Sequence, residues 1–231
     1  MYIRGCYIDS KDEFWHKMGD FFCFTDMWGG KVLCAPSKQL TNESKLFQLS
    51  NSLTKSSMKY DQISIGKSYV VKGASNFNLI NNKPLIVKSL SGVRSIVVDQ
   101  ENYGSWNTES IDNTPVLFQE KISGYDLRVH TLKNKHFAKK SKSKENIDYR
   151  YDKDFFNLSS VKNLNRDISS FCSDVAKIED NDLLGIDFIK TSKGYTVLEA
   201  NPSPGWSAYH PFDGIKINPF ISKLLAVFKD A

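Results

Sequence analysis

Cysteine is scarce in this chain: four occur among 231 residues, Cys6, Cys23, Cys34 and Cys172, and no two stand as Cys-x-x-Cys. That spacing excludes a zinc knuckle and a disulfide framework and leaves buried free thiols as the reading. Long apolar runs are also missing. No stretch approaches the roughly 18 residues that a membrane-spanning helix needs, and Met1-Tyr2-Ile3-Arg4-Gly5-Cys6 lacks the apolar core of a secretory signal. A cytoplasmic protein with no membrane partner is the expectation. Internal repeats and long low-complexity tracts are absent, although residues 39–59 and 158–173 are rich in Ser and Asn.

Charge of one sign is not in large excess, the formal net charge being +5, but six lysines fall between Lys133 and Lys144. A solvated hairpin and loop is the plain reading of that run. Nucleic acid, nucleotide phosphates or an acidic peptide are the functional ones. The interleaved aromatics of an RNA-binding signature do not accompany it, so nucleic acid is not the expected partner. With 40% hydrophobic residues the chain can bury a sizeable core, as one large domain or two small lobes.

Three helices are legible. Asn42 can cap a helix with Leu46, Leu49 and Leu53 on one stripe and Lys45 near its start. A second puts Ile168, Phe171, Cys172 and Val175 on one face. The third has Asn218 as cap and Pro219 at its first position, and buries Ile221, Leu224, Leu225 and Phe228. Strand-like runs cover residues 68–71, 85–90, 95–98, 116–119 and 126–132, followed by a final hairpin. The fold class expected is α+β. Residues 1–64 form an N-terminal segment and helix, 65–116 a small lobe and 117–231 a larger one, with a ligand cleft between lobes. The oligomeric state is not legible, and an oligomer is compatible with the sequence.

The hairpin carries the most chemistry. In Gly185-Ile186-Asp187-Phe188-Ile189-Lys190-Thr191, apolar Ile186 and Phe188 flank Asp187, and Thr196-Val197-Leu198-Glu199-Ala200-Asn201 follows Ser192-Lys193-Gly194. A three-residue loop with Gly194 in the left-handed region pairs Thr191 with Tyr195 and sets Asp187 opposite Glu199, with Asn201 on the same face. Two carboxylates about 5 Å apart repel by roughly 3 kcal/mol at an effective dielectric near 20. A proton or a cation is expected to relieve this. Oxygen donors without sulfur suit Mg²⁺ or Mn²⁺. The alternative is a surface hairpin with incidental acids.

Further candidates lie upstream. Lys88, in Leu85-Ile86-Val87-Lys88-Ser89-Leu90, is delivered from a rigid strand toward Ser91-Gly92, which suits a phosphate; the alternative is a lysine on the solvent face of an edge strand. Gln119-Glu120-Lys121-Ile122 leads into Ser123-Gly124, a possible hinge whose backbone could read a purine edge. In Asp126-Leu127-Arg128-Val129-His130, alternation puts Arg128 on the polar face, where a guanidinium can neutralise phosphate or carboxylate charge. His130 reads as structural.

Together these residues resemble the ATP-grasp ligases, most closely the branch with graspetide (microviridin-type) peptide ligases and ribosomal-protein glutamate ligases, over most of the chain. The resemblance implies an ATP-grasp fold, with ATP between antiparallel sheets of two lobes. It implies that Lys88, before Ser91 and Gly92, contacts ATP phosphates, and that Lys45 is an earlier nucleotide lysine. Gln119, Glu120, Lys121 and Ile122 become the hinge, Arg128 the phosphate-side arginine, and Asp187, Glu199 and Asn201 the metal ligands. Arg150, in Asp148-Tyr149-Arg150, resembles the Asp-Trp-Arg of graspetide ligases, and that resemblance implies a place facing the triphosphate. Two departures stand out. The N-terminal lobe looks shortened, and Asn201-Pro202-Ser203-Pro204-Gly205-Trp206 carries an inserted proline against the Asn-Pro-x-Gly-Gln-Trp of graspetide ligases.

The implied activity is ATP-dependent ligation through an acyl phosphate. The acid would belong to a peptide, protein or small carboxylate substrate and the acceptor would be an amine or hydroxyl, with a leader peptide as a further partner. An ATP-grasp kinase, a non-catalytic nucleotide- or peptide-binding subunit and a nucleic-acid binder are the competing readings.

Overall fold

The structure, a computed structural model, describes residues 47–71, 85–89, 97–99, 116–141, 159–202, 204 and 226. Residues 47–50 are helical; after Asn51, α1 runs Ser52–Ser57. Then come β1 (Ile63–Ile65), β2 (Ser68–Val71), β3 (Leu85–Ser89), β4 (Val97–Asp99), β5 (Val116–Glu120), β6 (Tyr125–Leu132), β7 (Lys135–Lys140) and β8 (Ser159–Val161). The helix α2 (Arg166–Ile178), β9 (Leu183–Thr191) and β10 (Gly194–Asn201) complete the order. The expected helix at Asn218 and the cap at Asn42 lie outside the described residues. Among the described residues no helix is long and apolar enough to cross a membrane.

The strands form two sheets, one ordered β1-β10-β9-β6-β7-β8 and the other β2-β5-β3-β4. All their pairings are antiparallel except β1 with β10, which makes the larger sheet mixed where antiparallel sheets were expected. Sheet membership also crosses the expected lobe limits at 64/65 and 116/117: Ile65 pairs in the larger sheet and Leu117 to Glu120 in the smaller.

The period of two along the strands divides the six-stranded sheet into an apolar face and a polar face. On the first, Leu127, Val129, Leu184, Ile186, Phe188, Val197 and Ala200 pack with Ile168, Phe171, Cys172 and Val175 of α2. These are the α2 residues expected on one face, and all four are fully buried. Asn165 caps the helix, its side chain accepting from the Asp167 amide at 2.8 Å. Phe171 meets Phe188 edge-on, with ring centroids 5.6 Å apart. Leu53 of α1 is fully buried in the same core, and Leu49 packs against it. Cys172 is an inert core thiol, its pKa pushed up to about 12 by burial.

Two short segments connect the sheets: residues 66–67 between β1 and β2, and residues 121–124 between β5 and β6. They run side by side, tied where the Glu120 amide donates to the Lys67 carbonyl at 2.9 Å.

Candidate functional site

The β9–β10 hairpin is built differently from its expectation, yet it reaches the expected pairing. Thr191 pairs with Gly194, so the loop is the two residues Ser192 and Lys193, and Tyr195 pairs with Lys190. Thr191 Oγ1 closes the turn, accepting from the Lys193 amide at 3.1 Å. Gly194 has φ +134°, and a Cβ there would come within 2.4 Å of the Gln62 carbonyl oxygen, so a side chain is excluded on both counts. Continued without interruption, this register would set Glu199 opposite Ile186, on the apolar face. A β-bulge between Val197 and Glu199 absorbs Leu198 and restores Glu199 to a position opposite Asp187. The bulge is therefore what moves this carboxylate out of the core, since a slip of one residue exchanges the two faces.

Across the sheet the registers define one polar row. Glu199 lies opposite Asp187, Asp187 opposite Arg128, Arg128 opposite Lys139 and Lys139 opposite Ser160. Arg128 Nε and Nη2 donate to Asp187 Oδ1 and Oδ2 at 2.6 and 2.5 Å, a two-point ion pair between largely buried side chains. The guanidinium of Arg128 is a cation of the kind expected beside the opposed carboxylates Asp187 and Glu199. Burial lowers the pKa of the Lys139 ammonium at the other side of Arg128.

The adjacent row holds Asn201, Gly185, His130 and Phe137. A Cβ on Gly185 would lie 2.5 Å from Pro204 Cβ and 3.7 Å from His130 Nε2. The chain after Asn201 therefore folds back through buried Pro202, and Pro204 seats directly on the strand. This gives the extra proline of the Asn-Pro-Ser-Pro segment a packing role. His130 is fully buried beneath it, in keeping with a structural histidine.

Lys88 is placed by its backbone in β3, opposite Val97 and Leu117, in a strand with neighbours on both sides and not at an edge. Gln119 is buried, its Nε2 donating to Ser68 Oγ at 3.1 Å, and the Glu120 amide is taken by Lys67. Beyond them Ile122 lies against Gly66, where a Cβ would meet Ile122 Cδ1 at 3.0 Å and Thr196 Cγ2 at 3.7 Å. Gly124 lies flat on β9, with 2.2 Å between its would-be Cβ and the Lys190 carbonyl. Lys45, Ser91, Gly92 and Arg150 lie outside the described residues.

Asp187, Glu199 and Asn201 thus share a face, the first two directly opposed. Among the described residues no group of three or more His, Cys, Asp or Glu converges as a metal site. A cation here would use two carboxylates and an amide, a hard-oxygen set that fits Mg²⁺ or Mn²⁺. Sequence reasoning missed the pairing of Arg128 with Asp187 and the place of Lys139. Alternation in Lys135-His136-Phe137-Ala138-Lys139-Lys140 across the two-residue turn Lys133-Asn134 was the signal for the second.

A family model described as a RimK-like ATP-grasp domain matches residues 44–225. A probable alpha-L-glutamate ligase of Mannheimia succiniciproducens is 26% identical over 144 residues, 59% of this chain and 48% of that protein. The chain spans about half the length of the curated relatives it matches. Among solved structures, a RiPP-associated ATP-grasp ligase of Chryseobacterium gregarium, in complex with ADP and a leader and core peptide, superposes with a TM-score of 0.72 at 20% identity, over 97% of this chain and 74% of that one. The macrocyclase MdnC of Microcystis aeruginosa, bound with precursor peptide MdnA, gives 0.68 at 18% identity, over 97% and 77%. These likenesses establish the fold.

Proposed function

The chain belongs to the RimK-like ATP-grasp family, and from that premise we propose that it is an ATP-dependent ligase that activates a carboxylate as an acyl phosphate and joins it to an amine or hydroxyl. The observation that carries this reading is the row Glu199, Asp187 and Arg128 on the polar face, which Glu199 joins because its strand bulges at Leu198. The bulge keeps Glu199 out of the apolar core and brings two hard-oxygen donors together at one place on the polar face.

Asp187, Glu199 and Asn201 would hold magnesium or manganese, whose chemistry when bound is to neutralise the triphosphate. Arg128 is locked by its fork with Asp187, so its charge is pre-positioned for the transferred phosphoryl group without reorganisation. Lys88 in β3 would add a cationic contact to the triphosphate, and the family resemblance assigns Lys45, Ser91, Gly92 and Arg150 to the same nucleotide site. Gln119 to Ile122 borders the base, although the Glu120 amide is engaged and leaves that task to its neighbours. The four-stranded sheet serves as the small lobe and the six-stranded sheet as the large one, with ATP between the sheets.

The substrate in this reading is a peptide or protein carboxylate. Support comes from the leader, core and precursor peptides of the similar structures and the glutamate ligase name of the curated relatives. A dependence on ATP suits the cytoplasm. The test is ADP release by the purified chain with Mg²⁺ and glutamate-bearing peptides, with hydroxylamine present to trap acyl phosphate as a hydroxamate. Metal-dependent hydroxamate is the expected product. A phosphorylated hydroxyl in its place would assign a kinase.

A further inference from the structure

We propose that Gln48 is a positioning residue of the metal site, its buried side-chain amide fixing the stretch of β10 that carries Glu199 and Asn201. This rests on the ligase reading above and deepens it by naming what holds two of the three candidate ligands in place.

The register of β10 shows why this stretch needs a brace. β1 accompanies β10 from Tyr195 to Val197 and ends with Ile65, after which the chain leaves toward β2. β9 flanks the other side, but its pairing is interrupted where Leu198 bulges out of register. A bulge leaves its extra residue unpaired and bends the strand. Glu199, Ala200 and Asn201 thus follow a weak point of the ladder, with β9 on one side and, among the described residues, no strand on the other.

Gln48 stands on that open side. Its Oε1 accepts from the Ala200 amide at 3.3 Å, across 152 residues of sequence. The side chain is 3% exposed, and an amide is costly to bury unless it is hydrogen-bonded. Its own anchorage is local. The Gln48 carbonyl accepts from the Asn51 amide at 3.3 Å and the Leu49 carbonyl accepts from Thr54 Oγ1, which ties residues 47–50 to α1. Fully buried Leu53 holds α1 in the core in turn.

One bond acts on both ligands. The Ala200 amide belongs to the rigid peptide plane that begins at Glu199, so holding it restricts the backbone rotation that aims Glu199. Ala200 itself is fully buried in the core on the α2 face. Alternation then turns its two neighbours, Glu199 and Asn201, toward the polar face together. Gln48 acts through the backbone, so that the hard-oxygen donors are oriented before a cation arrives.

The test uses the full-length chain and two variants. Gln48→Met removes the acceptor oxygen at similar side-chain length, and Leu49→Ala loosens the packing of the same turn while leaving that oxygen in place. Two readouts are taken: deuterium exchange of the Ala200 amide by NMR, and uptake of Mn²⁺ in the presence of a non-hydrolysable ATP analogue by electron-spin resonance. The Ala200 amide should be protected in the wild type and exchange at least about tenfold faster in Gln48→Met, with the β9 amides unchanged. Gln48→Met should bind Mn²⁺ about 10- to 100-fold more weakly, the range for losing a partner that orients metal ligands. Leu49→Ala should stay within about twofold of the wild type in Mn²⁺ affinity. Equal Mn²⁺ affinity in the wild type and Gln48→Met overturns the proposal. So does a Leu49→Ala that loses affinity to the same extent as Gln48→Met, because general loosening would then suffice. An unprotected Ala200 amide in the wild type overturns it even if Gln48→Met does not fold. Wild-type chain that protects Ala200 but takes up no Mn²⁺ with the analogue removes the ligase reading, and the proposal with it.

Discussion

The two faces of the six-stranded sheet are made by alternate residues of the same strands and obey different rules. On the α2 face, Leu127, Val129, Ile186 and Phe188 meet Ile168, Phe171, Cys172 and Val175 with almost no exposed surface. On the other face lie Arg128 and Asp187, joined by an ion pair, with Glu199 opposite Asp187 and Pro204 covering Gly185. The first face holds the fold together, and the second carries the residues proposed to bind the metal and triphosphate. The bulge at Leu198 decides on which face Glu199 falls.

The largest effect should come from the apolar face. Phe171→Ala removes a fully buried ring that touches Phe188 and Tyr60, and should cost about 3–5 kcal/mol of stability in urea titration. If nucleotide affinity of the still-folded fraction fell as well, the independence of the faces would break.

The polar face should respond in the opposite sense, and its two carboxylates should differ. Asp187→Asn leaves a largely buried Arg128 without its counter-charge, and should cost about 1–3 kcal/mol in addition to activity. Glu199→Gln should lose activity with a smaller loss of stability than Asp187→Asn. Equal unfolding midpoints for the two variants would show that the Arg128 pair contributes nothing to the fold.

The smallest effect concerns His136, which joins the faces' common frame by linking β7 to α2. Its Nδ1 is 3.2 Å from Thr131 Oγ1 and its Nε2 3.3 Å from Ser173 Oγ, and burial lowers its pKa below the usual 6.5. The folded chain therefore takes up this proton less readily than the unfolded one. Stability should be full above about pH 6.5 and fall as the pH drops through the lowered value. His136→Gln should flatten this decline in urea midpoints between about pH 7 and 5, a change of about 1 kcal/mol or less.

Much of this was legible in the sequence for a physical reason. The α2 face followed from apolar spacing, and the strand at Ser68–Val71 from β-branched and aromatic content bounded by turns. The opposition of Asp187 and Glu199 was legible through a compensation. A loop one residue too long in the expectation matched a bulge that local pattern does not reveal, because Leu198 is apolar and fits either assignment. The ion pair at Arg128 was not legible, since it depends on β6 pairing with β9 across a long stretch of chain. The strands Ile63–Ile65 and Ser159–Val161 were missed because three residues show no period of their own and owe their state to the partner strand. The ATP-grasp fold was expected from the order of Lys88, Arg128 and the hairpin, and the family match over residues 44–225 bears it out.

The central claim, that the polar row holds a metal–triphosphate, is tested most directly by titrating Mn²⁺·ATP into wild-type chain and Glu199→Gln and following bound Mn²⁺ by its electron-spin resonance. The account predicts saturable uptake by the wild type and at least a tenfold weaker uptake by the variant, with both proteins folded at the temperature of the titration. Equal manganese binding by the two proteins would contradict it.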